Sequence, residues 1–242
     1  MRLDKLLEKA KVGSRSEVKK LLKTKKVLVD GVPVINGSQN VDTGLQKIVV
    51  HQKHINLFSE VYYILNKPSG FVTARSDAQH KTVLDLLAPE DKVEGLYPVG
   101  RLDRDTEGLL LLTNNGPLGF SMLHPKQHVE KTYYVEVNGF LASDAPAFFS
   151  SGIVFLDGTR CRPAQLNIIE ASPELSRATL HITEGKFHQV KKMFLSYGLK
   201  VIYLQRISFG DFNLGSLELG SYRQLTEEEK AYLKAFMVSE NI

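Results

Sequence analysis

A chain of 242 residues, 43% of them hydrophobic and 24% charged, is globular rather than disordered and long enough for one large domain or two smaller ones. Its single cysteine, Cys161, excludes an internal disulfide and fits a reducing compartment. With no signal-peptide core at its start and no apolar run near the ~18 residues of a membrane span, it is expected in the cytoplasm, off the membrane.

The net charge of +4 is unevenly spread. Residues 1–60 hold 12 Lys or Arg against 6 Asp or Glu, and the remainder holds 19 against 21. A basic N-terminal module suited to a polyanion therefore precedes a near-neutral body. Leu3, Leu6, Leu7 and Ala10 fall at helical spacing and predict a first helix, broken at Gly13. Ser14 with Glu17 three residues on is a capping box that opens a second helix, with Val18, Leu21 and Leu22 inward. Arg15, Lys19 and Lys23 lie four apart on its exposed face, where like charges repel. A phosphate backbone would relieve that repulsion, so the three are candidate nucleic-acid backbone contacts. Asp30-Gly31 between Val27-Leu28-Val29 and Val32-Pro33-Val34 predicts a hairpin, and Ile48-Val49-Val50 a third strand.

Residues 52–60 are polar and without apolar period. The linker is placed within them at residues 56–60, between a module of residues 1–55 and a second domain of residues 61–242. Residues 62–65 begin that domain as a strand, and 66–70 turn the chain. A short helix is expected over 83–87, ended by Pro89, and a fully buried strand over 109–112. Residues 118–123 read as a helix stopped at His124-Pro125. Residues 132–137, 166–169 and 178–182 read as strands. Residues 189–197 read as a helix with Val190, Met193 and Phe194 inward and Gly198 as its stop. Residues 225–237 form the last predicted helix, with Thr226 as its cap. This order of elements argues for an α+β fold with a mainly antiparallel mixed sheet.

The string GRLDRDTEGLLLLT at 100–113 sets Arg101, Asp103, Arg104 and Asp105 at the mouth of the buried strand. Carboxylates there cost free energy unless paired, so the string is either a polar turn feeding a core strand or a site. His124, His128, His181 and His188 lack the tight spacing of metal ligands, and no metal site is expected. Asp103 and Asp105 are also compatible with the paired carboxylates of a glycosidase, but the chain has no Trp to serve as a sugar platform.

Six strings extend over nearly the whole chain: MRLDKLL at its start, YYILNKPSGFVT at 62–73, GRLDRDTEGLLLLT, HVEKTYYVEV at 128–137, EGKFHQVKKMF at 184–194 and SYRQLTEEE at 221–229. In content and order they resemble the RsuA-like branch of the pseudouridine synthases. SRSEV and VLVDGVPV, in the basic module, resemble the alpha-L RNA-binding domain. The resemblance implies an isomerase that detaches uracil from a ribose of ribosomal RNA, rotates it and rejoins it through carbon-5. That reaction is redox-neutral and requires no cofactor.

Asp103 of GRLD is implied as the carboxylate acting at the sugar, by attack on the anomeric carbon or by removing a sugar proton. Tyr133 of KTY is implied to stack on the uracil, with Tyr134 on the opposite strand face. Lys191 of HQVKK is implied as the cation that keeps Asp103 ionised, at a position where many relatives carry Arg. His188 and Gln189 belong to the same motif and are placed with the RNA-contacting residues. Arg101 and Arg104 are either surface charges or contacts to phosphate and to the gap left by a flipped nucleotide. EGKFHQVKKMF is similar to the branch acting on small-subunit 16S ribosomal RNA, free or in an assembly intermediate. A large-subunit enzyme of a sister branch is the alternative, and a monomer is expected. The reading from another class is a non-catalytic RNA-binding ribosome-assembly factor. The joint presence of Asp103, Tyr133 and Lys191 favours the enzyme.

Overall fold

Two sheets carry the chain, one in each of its parts, in a computed structural model that describes residues 1–57 and 60–238. The N-terminal unit packs helices α1 (Leu3–Lys9) and α2 (Arg15–Lys23) with strands β1 (Val27–Val29), β2 (Val32–Pro33), β3 (Ile48–Val50) and β4 (Lys53–His54). The strand order is β2-β1-β3-β4, antiparallel throughout. The Ser14/Glu17 capping box is present, with the Ser14 N–H donating to the Glu17 carboxylate at 2.7 Å. Asp30 and Gly31 both take positive φ, 53° and 81°, the geometry of the tight turn that matches strand twist. Leu3, Leu6, Leu7, Val18, Leu22 and Ile48 close the core, and Arg15, Lys19 and Lys23 stay exposed. Strand β4 lies in the stretch whose polarity suggested no structure. Backbone pairing of Val49 with His54 needs no apolar side chain.

The second sheet takes β5 (Tyr62–Lys67), β6 (Tyr97–Val99), β7 (Glu107–Thr113), β8 (Lys131–Val137), β9 (Gln165–Ala171), β10 (Ser176–Ile182), β11 (Val201–Phe209), β12 (Phe212–Asn213) and β13 (Tyr222–Gln224). Its order is β13-β5-β7-β11-β8-β10-β9, with β6 on β7 and β12 on β11. Every pairing is antiparallel except β7 with β11. Helices α3 (Gly116–Leu123), α4 (Ala145–Ser150), α5 (Gln189–Tyr197) and α6 (Glu227–Val238) accompany it. The expected helix over 83–87 is a single 3-10 turn, Val83–Leu86, too short for α-type bonding before Pro89. Helix α6 starts two residues later than expected, where Thr226 and Glu229 cap each other. Residues 225 and 226 approach it in non-helical conformation, with Leu225 buried in the core.

Strand β11, at the centre of the sheet, is absent from the sequence-based expectation. Its positions are mostly half-buried and include Gln205 and Arg206, which hides the alternation. The parallel seam between β7 and β11 depends on Gly108. Its φ is +105°, and a Cβ there would stand 2.2 Å from the Arg206 carbonyl oxygen. Only glycine allows that approach. The seam joins two apolar cores. One holds Leu102, Tyr133, Val135, Phe149, Leu180 and Phe194, and the other Ile64, Leu109, Leu111, Leu118, Phe209 and Leu233.

The two parts of the chain meet at a buried polar cluster. Tyr62 donates its hydroxyl proton to the Asp42 carboxylate. The Asn115 amide donates to Tyr62 at 2.8 Å and to Asp42 at 3.2 Å. Burial pushes the Asp42 carboxyl above its usual range. Lys234 of α6 also pairs with Asp30 of the hairpin turn at 2.7 Å.

Candidate active site

The loop between β6 and β7 carries Asp103 and is held by hydrogen bonds from Thr106, Thr73 and Lys67. The Thr106 N–H donates to the Asp103 carbonyl at 3.1 Å and closes the turn. Thr73 Oγ1 donates to the Leu102 carbonyl at 2.8 Å. The fully buried Lys67 donates from Nζ to the carbonyls of Pro68, Arg104 and Thr106 at 3.1, 3.1 and 2.8 Å. Burial draws the Lys67 pKa down to about 8, against the opposing charges of Asp105, Glu107 and Asp103. The segment read from sequence only as a turn is thus the clamp on the Asp103 loop. A lysine at the end of an apolar strand, before Pro-Ser-Gly, was its one signal.

Helix α5 brings the opposite charge. Lys191 Nζ stands 3.2 Å from Asp103 Oδ2 and 2.6 Å from Asp105 Oδ1. Burial pulls the Lys191 pKa down, but hydrogen bonds to Asp105 and Asp103 outweigh it and hold it above the ordinary lysine value. The Asp105 carboxyl is pushed up by burial and brought below its ordinary value by Lys191. Asp105 was weighed from sequence only as a glycosidase-type partner of Asp103, and its pairing with Lys191 was not expected. His188 joins them, with Nε2 3.6 Å from Asp103 Oδ1.

Tyr133 is buried in the core cluster that also holds Leu102 and Val190, the chain neighbours of Asp103 and Lys191. The strand alternation holds: Tyr134 faces the other way, donating to Glu136 at 2.9 Å with its ring against Tyr203. Arg206, directly opposite Tyr133 in the sheet, is a second cation the sequence reading missed. It is buried, donates Nε to the Leu109 carbonyl at 2.8 Å and lies 5.1 Å over the Phe209 ring. Its Nη2 and the Thr106 hydroxyl are buried without a hydrogen-bond partner among the described residues.

Arg101 and Arg104 are exposed and make no ion pair among the described residues. Gln189, grouped from sequence with the RNA-contacting residues, is turned inward in the structure. Its side chain is buried, accepts from the Lys186 N–H and donates to Glu184, each at 2.9 Å. It organises the loop that presents His188. Among the described residues no cluster of three or more His, Cys, Asp or Glu is placed to hold a metal ion.

Comparison with known proteins identifies the family. The family model described as RNA pseudouridylate synthase matches residues 61–196, and the S4 domain model matches residues 1–47. The chain is similar to the uncharacterised RNA pseudouridine synthase YtzG of Bacillus subtilis, 41% identical over 95% of this chain and 96% of that one. It is 38% identical to the ribosomal small subunit pseudouridine synthase A of Yersinia pestis, over 97% of this chain and 99% of that one. It is 36% identical to the ribosomal large subunit pseudouridine synthase B of Bacillus subtilis, over 97% and 96%. Among solved structures, a pseudouridylate synthase crystal structure superposes with a TM-score of 0.66 at 33% identity, covering 96% of this chain and 99% of that one. The chain belongs to the RNA pseudouridine synthase family, isomerases of uridine in RNA, and carries an S4 RNA-binding domain at its N-terminus.

Proposed function

We propose that the protein converts one uridine of 16S ribosomal RNA to pseudouridine in the cytoplasm, acting as a monomer on free RNA or an assembly intermediate. The observation that carries the reading is the Lys191 ammonium 3.2 Å from the half-buried Asp103 carboxylate on a clamped loop. In this proposal Asp103 acts at the sugar, Lys191 pairs with its carboxylate, and Tyr133 supports the uracil. The module of residues 1–55 supplies affinity through Arg15, Lys19 and Lys23. Beyond the linker at 56–60, residues 61–242 supply the chemistry. Arg101, Arg104 and His188 would contact substrate phosphates or bases; the exposure of the two arginines and the 3.6 Å from His188 to Asp103 support this. The 38% identity to a small-subunit enzyme supports the 16S assignment.

The second reading is a uridine of large-subunit ribosomal RNA, favoured by the 36% identity to a large-subunit enzyme. Mapping pseudouridines in ribosomal RNA from cells with and without the gene separates the two. Loss of a 16S pseudouridine is expected, and loss of a large-subunit one instead overturns the assignment. With purified protein and RNA tritiated at uridine carbon-5, Asp103→Asn should abolish tritium release and leave RNA binding in place. Release within tenfold of wild type would remove Asp103 from the chemistry.

A further inference from the structure

The loop from Glu184 to His188 ends in two rings, and the reading above uses only the second, His188. Phe187 is 72% exposed. Its ring stacks on His188, with centroids 3.8 Å apart and planes 23° from parallel. His188 in turn reaches to 3.6 Å from the Asp103 carboxylate. A two-ring column therefore runs from the reacting carboxylate out to solvent.

The column is held in place. His188 adopts a left-handed backbone, φ 52° and ψ 33°, uncommon and costly for a residue with a Cβ. The buried Gln189 amide ties the loop at Lys186 and Glu184. Lys192 places its ammonium 5.6 Å from the Phe187 centroid, anchored by Asp157 at 3.6 Å and by the Phe155 ring at 5.3 Å. An aromatic face beside a fixed cation is the arrangement that takes a base and its phosphate from single-stranded RNA.

We propose that Phe187 is a stacking platform for the unpaired nucleotide adjoining the target uridine. With the uracil at Asp103, the neighbouring base extends the column on the outer face of Phe187, and Lys192 meets the phosphate between the two. The inference rests on the pseudouridine synthase reading and assigns its site a flanking-nucleotide subsite. Stacking of a base on an aromatic ring corresponds to about 5- to 150-fold in affinity.

The chain has no tryptophan, so Phe187→Trp creates a single emitter at the platform. Wild-type enzyme is first assayed by tritium release on ribosomal RNA carrying the mapped uridine, in the free or particle form on which it acts. No release there defeats the pseudouridine synthase reading itself. Given release, Phe187→Trp emission should be quenched at saturating RNA. It should recover when the nucleotide on one side of the uridine is made abasic by splint ligation. Phe187→Leu, which keeps apolar bulk but no ring, should raise KM about 5- to 150-fold with kcat nearly unchanged, and Phe187→Tyr should restore it. The abasic RNA should cost wild type the same factor and cost Phe187→Leu nothing further. Equal quenching with either flank abasic, or additive losses for abasic RNA and Phe187→Leu, overturns the proposal.

Discussion

Lys191→Met removes the ammonium that two carboxylates share and keeps the aliphatic stem. At 3.2 Å a unit charge pair is worth about 5 kcal/mol at an effective dielectric of ~20 and about 1.3 kcal/mol at the ~80 of water. The Lys191 and Asp103 side chains are 27% and 28% exposed, so the pair falls between these limits, at about 2–3 kcal/mol. If the Asp103 carboxylate does its work paired, kcat/KM should fall about 30- to 150-fold. The Asp105 side chain is 71% exposed and its pair with Lys191 is screened, worth about 0.2–1 kcal/mol. Asp105→Asn should therefore cost no more than about fivefold. In the double variant the Asp105 effect should vanish, because Asp105 acts by steadying Lys191.

The pH dependence follows from the shift directions. The Lys191 pKa is raised above 10.5, so its stabilisation is complete below that value and is lost as pH rises through the folded-state pKa. The Asp105 pKa is lowered below 3.8, so its share is present above that value and is lost as pH falls through the folded-state pKa. Neither group should titrate between about pH 4 and pH 10, and Lys191→Arg should keep the same plateau. The assay is single-turnover tritium release across that range. Activity of Lys191→Met within threefold of wild type, or a greater loss for Lys192→Met, would refute the ion-pair argument.

Replacing Arg15, Lys19 and Lys23 together by Ala should weaken RNA binding and flatten its salt dependence, by up to ~1 in log–log slope for each phosphate no longer neutralised; an unchanged slope excludes them from the interface. Gly108→Ala places a methyl 2.2 Å from the Arg206 carbonyl at a positive φ and should lose at least about 2 kcal/mol, read as a lower urea midpoint; an unchanged midpoint would mean the β7–β11 seam tolerates separation. Tyr62→Phe removes a donor from the buried Asp42 carboxylate and should cost about 1–3 kcal/mol. Burial raises the Asp42 pKa, so the folded state favours its protonated form and stability declines as pH rises through that value. The Tyr62→Phe penalty should accordingly be larger at pH 8 than at pH 4, and equal urea midpoint shifts at the two would contradict this.

The local grammar of the chain was legible without coordinates. The Ser14/Glu17 box, the Asp30-Gly31 turn and helix α5 over Gln189–Tyr197 each depend on neighbours within a few residues, and the structure has them as read. Asp103, Tyr133 and Lys191 could be singled out because family strings carry them, and Lys191 does reach Asp103. What tertiary structure alone decided is the set of contacts between residues far apart in sequence. Asp105 reaches Lys191 across 86 positions, Lys67 clamps the Asp103 loop across 37, and Arg206 lies buried opposite Tyr133. Gln189 turned inward for the same reason: a polar side chain's partner is fixed by what folds around it, and here the partners are Glu184 and Lys186. Strand β11 escaped because a central strand that buries an arginine between two cores shows no clean period, and its place is set by a glycine nearly a hundred residues away.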